Sequence, residues 1–119
     1  MSRHAHRLDD YLAHILEAIE RIRRYTDGFS EQAFLDNPLV QDAVIRNIEI
    51  IGEASKNIEK HCTVFANAHP ELPLAVAYQM RNAVAHGYFK VDFAIVWNTI
   101  QSDLPALHAQ VTQARAAQP

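Results

Sequence analysis

The chain has 119 residues, of which 49% are hydrophobic and 21% charged, and this composition excludes an intrinsically disordered protein. A formal net charge of −3 excludes a surface coated in positive charge for non-specific nucleic-acid binding, but it leaves room for a confined basic site. The sequence has one cysteine, no apolar run long enough for a membrane span and no signal-peptide pattern at the start. These features predict a cytoplasmic globular domain over residues 1–119.

The first part of the chain is predicted to form one long and one short helix. Apolar residues recur there at intervals of three and four, which is the helical period, and they predict a helix from about residue 3 to residue 24. The turn-forming pair Asp27-Gly28 is expected to end it. Ser30 is a suitable N-cap for a short helix that runs through Leu35.

A second long helix is predicted to begin at Asn37-Pro38, an N-cap followed by proline at the first helical position, and to run to about residue 60. At about 100° per residue, one face is apolar or small and is expected to be buried: Val44, Ile48, Ile51, Ser55 and Ile58. The opposite face is a mixed-charge stripe, typical of a solvated surface: Arg46, Glu49, Glu53, Lys56 and Lys60. Ile50 lies near that stripe, where a monomer would expose it. Gly52 costs about 1 kcal/mol relative to alanine in mid-helix, so we expect a neighbour to pack closely against it.

Two further helices complete the pattern. One is predicted over residues 73–86, with Gly87 placed to end it. The last is expected to begin at Asp92, with Pro105 either kinking it or marking a restart at Asp103. No alternating strand pattern occurs. The sequence therefore predicts an all-α, up-and-down bundle of four main helices with additional short helical turns.

Most chemically active side chains are concentrated in one stretch, RNAVAHGY, at residues 81–88. On a regular helix Asn82 and His86 share a face, whereas Arg81 and His86 are five residues apart, or about 140° around the axis. An unbroken helix in a single chain therefore cannot direct both Arg81 and His86 at one small substrate group. Either the helix ends at His86 and turns the ring, or two chains bring their motifs together across a twofold axis.

Arginine and histidine together suffice to cleave RNA without a metal or cofactor. The guanidinium suits a phosphate, and imidazole moves protons near neutral pH. A base takes the ribose 2′-hydroxyl proton, the oxygen attacks the adjacent phosphorus, and cations stabilise the added charge. From spacing alone, however, such a pair near a helix end is most often a cap and a surface residue. His4 and His6 have no fixed third ligand, so no metal site is expected.

Four sequence blocks, in order, resemble the HEPN superfamily and, within it, the HepT-like toxins of bacterial and archaeal toxin–antitoxin pairs. They are QDAVIRNIEIIGEASKNI at residues 41–58, HPELP at 69–73, RNAVAHGYFKVD at 81–92 and IVWNTIQSDLPAL at 95–107. The resemblance implies a dimerising helical bundle and metal-independent cleavage of RNA by an arginine followed, after four to six residues, by a histidine. It places catalysis on Arg81 and His86, with Asn82 as the polar residue after the arginine.

The resemblance also implies a protein partner. In such pairs the antitoxin is a small, MntA-like nucleotidyltransferase, understood to silence the toxin by transferring AMP to a tyrosine two residues beyond the histidine, here Tyr88. Each AMP adds a phosphodiester charge and bulk beside the site that receives RNA. The chain departs from relatives at Leu74, often a tryptophan, and at Gly87, often an acidic residue. Neither departure removes a proposed catalytic group.

Three points stay open from the sequence. Glu53 lies in a GEA segment shared with relatives, and it either orients the motif across a dimer or pairs with Lys56 or Asn57 on its own helix. The same motif also fits a non-catalytic nucleotide- or RNA-binding module, or an adaptor that docks on a nucleotidyltransferase. RNA binding by a net negative protein predicts a confined basic site that draws on Arg46, Lys56 or Lys90.

Overall fold

The regular structure is helical throughout the part of the chain that the computed structural model describes, residues 3–86 and 92–118, with side chains described in 7–81 and 92–118. The elements are α1 Arg3–Tyr25, α2 Glu31–Leu35, α3 Pro38–His61, α4 Thr63–Ala68, α5 Leu74–His86, α6 Phe93–Asn98, a π-helical turn Thr99–Asp103 and α7 Leu104–Ala116. The predicted all-α fold is confirmed. Within these ranges no helix combines the length and the apolar character needed to cross a bilayer.

Local capping sets the ends of the first three helices, as predicted. Gly28, with φ of 76°, turns the chain after α1 in a conformation that other residues rarely adopt. The Ser30 hydroxyl accepts a hydrogen bond from the Ala33 N–H at 3.1 Å at the start of α2. The Asn37 side chain accepts one from the Val40 N–H at 3.0 Å at the start of α3. These short-range bonds supply partners for N–H groups that have none within the helix.

Helix α3 lies at the centre of the bundle and packs against α1 and α5. Its predicted core face is buried, with each side chain at most 1% exposed: Val44, Ile48, Ile51, Ser55 and Ile58. Ser55 is tolerated there because its hydroxyl donates to the Ile51 carbonyl at 2.8 Å. Ile50, expected to be exposed, is instead half-buried, because it packs against the core from the edge of α3.

The C-terminal helices close the bundle on two sides. Phe34 of α2 is fully buried, and its ring centroid lies 5.5 Å from that of Trp97, which is half-buried and packs against the core. Helix α7 is tied to α1 by a bidentate contact in which Arg115 donates to both Asp9 oxygens at 2.8 and 3.1 Å.

Two features of the chain path differ from the simple four-helix prediction. A six-residue helix, α4, follows α3 directly, and no helix was predicted at these residues. The last predicted helix contains the π-helical turn, and α7 continues from it with Pro105 as its second residue. Asp103 and Leu104 keep right-handed helical backbone angles and Asp103 makes no side-chain cap, so the helix passes through this point without a restart. Pro105 lacks an N–H, and it lies where the π-helical turn interrupts the regular hydrogen-bond pattern of an α-helix.

Candidate active site

Helix α5 approaches α3 so closely at Gly52 that no side chain fits between the two helices. A Cβ atom added to Gly52 would overlap the Arg81 Cβ, and it would lie 2.7 Å from the Arg81 Cγ and 3.3 Å from the Ala77 carbonyl oxygen. The close packing predicted at Gly52 is confirmed. Because the Cβ of Arg81 is fixed to the α5 backbone, this contact sets where the Arg81 side chain begins.

The next residue of α3 orients the other end of that side chain. Arg81 Nη2 lies 2.8 Å from Glu53 Oε1, in a salt bridge whose side chains are 26% and 49% exposed, respectively. Such a charge-assisted hydrogen bond has directional geometry and limits the rotamers of the guanidinium. In this chain Glu53 thus pairs with Arg81, and not with Lys56 or Asn57 on its own helix.

An aromatic ring lies on another side of the same guanidinium. The Arg81 Cζ atom is 5.8 Å from the centre of the Tyr78 ring, and the Lys56 Nζ atom is 5.0 Å from it. Both distances are within the range of cation–π attraction. Lys56 is therefore directed toward Tyr78, while Glu53, three residues earlier on α3, is directed toward Arg81.

The Glu53–Arg81 pair lies at the edge of an open cleft between α1, α3 and α5. The cleft has a volume of about 430 Å³, and its lining combines charged, polar and half-buried apolar side chains: Tyr11, His14, Arg46, Glu49, Ile50, Glu53, Ala54, Asn57 and Arg81. His14 was not singled out by sequence reasoning as a site residue. No local signal could have found it, because α1 meets the motif only through the packing of α1 on α3.

The backbone of the motif continues α5 without a break. Helix α5 runs from Leu74 to His86, so Arg81 and His86 lie about 140° apart around a regular helix axis, as the sequence predicted. Asn82 and His86 belong to this helix, but their side chains lie outside the described residues. Tyr88, Gly87 and Lys90 lie outside the described residues altogether.

The remaining histidine and cysteine side chains that the structure describes have environments of their own. His69 Nδ1 lies 2.8 Å from Glu71 Oε2, and this hydrogen bond lowers the pKa of the Glu71 carboxyl. His108 Nε2 lies 3.0 Å from Glu20 Oε2, a contact between α7 and α1. Burial raises the pKa of the Cys62 thiol. Among the described residues, no three histidine, cysteine, aspartate or glutamate side chains are placed together to hold a metal ion.

Comparison with known proteins adds evidence from the sequence as a whole. The model of a family described as "Ribonuclease HepT-like" matches residues 15–114. "Probable ribonuclease HepT" from Thermococcus cleftensis is 42% identical over 106 residues, which cover 89% of this chain and 94% of that protein. "Putative RNase TTE0752" from Caldanaerobacter subterraneus is 37% identical over 103 residues, which cover 87% and 89%, respectively.

A third relative is a longer protein. "Gamma-glutamylcyclotransferase and putative RNase MJ0434" from Methanocaldococcus jannaschii is 40% identical over 101 residues, which cover 85% of this chain but 44% of that protein. The chain therefore spans less than half of this relative. No solved structure matches the chain significantly.

Proposed function

The chain belongs to the HepT-like ribonuclease family, and we propose that it is a metal-independent endoribonuclease that cleaves RNA by attack of the ribose 2′-hydroxyl. The observation that supports this most is the placement of Arg81. The Cβ end of the Arg81 side chain packs against Gly52, and Glu53 orients its guanidinium at the edge of a solvent-open cleft. An arginine held in this way is a preorganised cation, which is what a developing phosphoryl charge requires.

In the proposed reaction His86 acts as the base and Arg81 as the stabilising cation. The proton of the 2′-hydroxyl passes to the imidazole, a bond forms between the 2′ oxygen and phosphorus, and the bond to the 5′ oxygen breaks. The 5′ oxygen takes up a proton from water and the imidazolium of His86 returns its proton to the solvent, so the products are a 2′,3′-cyclic phosphate and a 5′-hydroxyl. Asn82 hydrogen-bonds the phosphate or holds the tautomer of the imidazole. RNA carries its own nucleophile, so no metal-bound water is needed.

The proposed active form is a homodimer. Helix α5 contains both Arg81 and His86, and positions five residues apart on a regular helix lie about 140° apart around its axis. A twofold axis beside the cleft would let the arginine of one chain and the histidine of its partner act on the same phosphate. The half-buried Ile50 in the cleft lining supplies apolar surface for such a contact.

We propose further that the protein is the toxin of a cytoplasmic toxin–antitoxin pair. An MntA-like nucleotidyltransferase would neutralise it by transferring AMP to Tyr88, two residues beyond His86. The added phosphodiester is negatively charged, so it would repel the RNA backbone from a site built around Arg81.

The test is RNA cleavage by the purified protein with a chelator present, after intact mass has shown that Tyr88 carries no AMP. We expect His86→Ala and Arg81→Ala to lose at least about 100-fold in rate, since a general base or a charge-stabilising group contributes that much. His61→Ala is a matched control, because His61 is exposed at the end of α3 and does not line the cleft. Equal cleavage by wild type and His86→Ala would point to a contaminating nuclease and refute the proposal.

A further inference from the structure

The cleft contains a second arginine that the proposed chemistry does not use. Arg46 is exposed on α3 and lines the same cleft as Arg81. Arg81 is held by Glu53, whereas neither Arg46 nor His14 forms an ion pair or hydrogen bond with another side chain in the described part of the chain. A permanent cation at such a position remains available to an anion from outside.

Lys56, another cation considered for an RNA-binding site, does not share this position. Lys56 is directed at the Tyr78 ring, with Nζ 5.0 Å from its centre, and it is absent from the cleft lining. Lys90 lies outside the described residues. Of the two candidates that the structure describes, Arg46 and Lys56, Arg46 is the one that lines the cleft.

Arg46 is displaced along α3 from Glu53, the residue that holds Arg81. Arg46 and Glu53 are seven residues apart, which is two helical turns on nearly the same face and about 10 Å along the axis. The cleft therefore offers two arginines to one RNA strand, Arg81 beside Glu53 and Arg46 two turns away along α3.

We propose that the part of the cleft between α1 and α3 is a subsite for an RNA phosphate that flanks the one being cleaved. Arg46 is its cation, and His14, on the α1 wall, is a second hydrogen-bond donor. Tyr11, one turn earlier on α1, offers an aromatic surface to the adjoining base, as in other single-strand grooves. This inference rests on the proposed function, because it assigns the bound phosphate to an RNA substrate.

One carboxylate opposes the proposed subsite. Glu49 is three residues from Arg46 on α3, and it lines the same cleft. Its charge lowers the affinity of the subsite for phosphate. The subsite therefore adds modestly to the affinity for RNA and helps to set the position of the strand. Removing the charge of Glu49 should therefore have the opposite effect to removing that of Arg46, and this opposite sign is a test in itself.

The experiment measures binding of a fully 2′-O-methylated oligoribonucleotide by fluorescence anisotropy over a range of salt concentrations. This probe has the RNA backbone but no 2′-hydroxyl nucleophile, so it cannot be cleaved. We expect Arg46→Ala to weaken binding about tenfold and to reduce the slope of log K against log salt by about 0.7, the value for one lost phosphate contact on a single strand. Glu49→Gln should tighten binding about two- to threefold. Arg24→Ala, which removes an exposed arginine outside the cleft, should change neither quantity appreciably.

Cleavage kinetics and oligomeric mass separate the outcomes. Arg46→Ala should raise KM and leave kcat within about twofold, because the subsite binds substrate equally in the ground and transition states. If wild type binds the probe but cuts no RNA, the proposed function fails. The affinity of Arg46→Ala for the probe still shows whether Arg46 forms a phosphate subsite. An affinity and salt slope unchanged in Arg46→Ala, or no binding by wild type, would refute the subsite. A change of oligomeric mass in Arg46→Ala would also refute it, and would assign the cleft to contact between copies of the chain.

Discussion

Replacing Gly52 by alanine should destabilise this protein, although alanine is the better helix former. In an open helix interior the substitution would gain about 1 kcal/mol. Here the new Cβ would overlap the Arg81 Cβ and lie 2.7 Å from its Cγ. Favourable carbon–carbon contact needs about 3.5–4.0 Å, so α3 and α5 would have to separate by more than about 1 Å.

The expected loss follows from these two opposing terms. Overpacking a close contact costs about 1–3 kcal/mol, and the upper end applies because the Arg81 Cβ is fixed to the α5 backbone. Subtracting the gain in helix propensity leaves a decrease of about 2 kcal/mol in the free energy of unfolding. With an unfolding entropy of about 2.1 cal/mol/K per residue, this lowers the Tm of a chain of this length by about 8 °C.

Urea and thermal unfolding followed by circular dichroism would measure this decrease. Arg81→Gly removes both overlapping carbon atoms, so the double variant with Gly52→Ala should recover much of the loss. The two substitutions should then show a coupling energy of about 3 kcal/mol, which is the cost of the overlap itself, because the gain in helix propensity is the same in both backgrounds. If Gly52→Ala instead raises the free energy of unfolding by about 1 kcal/mol, helix propensity alone governs the site, and the argument from close packing is wrong.

Three further predictions concern single side chains. Glu53→Gln should lower the free energy of unfolding by less than about 1 kcal/mol, because its salt bridge with Arg81 is half-exposed. The same substitution should slow RNA cleavage about tenfold, because it releases Arg81. An unchanged cleavage rate would contradict the role of Glu53 in orienting Arg81. The depressed pKa of Glu71 stabilises the fold at pH values above the ordinary glutamate pKa, and this contribution is lost as the pH falls through the lower folded value. In His69→Ala, an NMR titration should show the Glu71 pKa rising toward its ordinary value, and an unchanged pKa would exclude His69 as the cause. The buried thiol of Cys62, whose pKa is raised, should react slowly with iodoacetamide until denaturant is added; rapid labelling of the folded protein would disprove its burial.

Much of the fold could be predicted from short-range patterns in the sequence. The helix predicted over residues 3–24 is Arg3–Tyr25, and the long helix predicted to end near residue 60 is Pro38–His61. Caps such as Ser30 and Asn37 bond to N–H groups three residues away, so the information is local. The short helix α4 and the π-helical turn were not predicted as such, because elements of six and five residues depend on tertiary packing more than on local propensity.

The sequence by itself also determined the family. The resemblance to HepT-like proteins is confirmed by the family match over residues 15–114, and the motif that contains Arg81 and His86 stands out in the sequence alone. The roles of those residues, with Asn82 and Tyr88, stay predictions until cleavage and modification are measured.

Only the tertiary structure decided what surrounds the motif. The sequence indicated that something packs against Gly52, but not that it is the side chain of Arg81. It left the partner of Glu53 open, did not choose between Arg46 and Lys56, and gave no reason to associate His14 with the motif. Periodicity reports which face of a helix is buried, whereas the crossing of α3 with α1 and α5 determines which residues meet. Contacts between helices distant in sequence are set by that packing, and no local pattern encodes them.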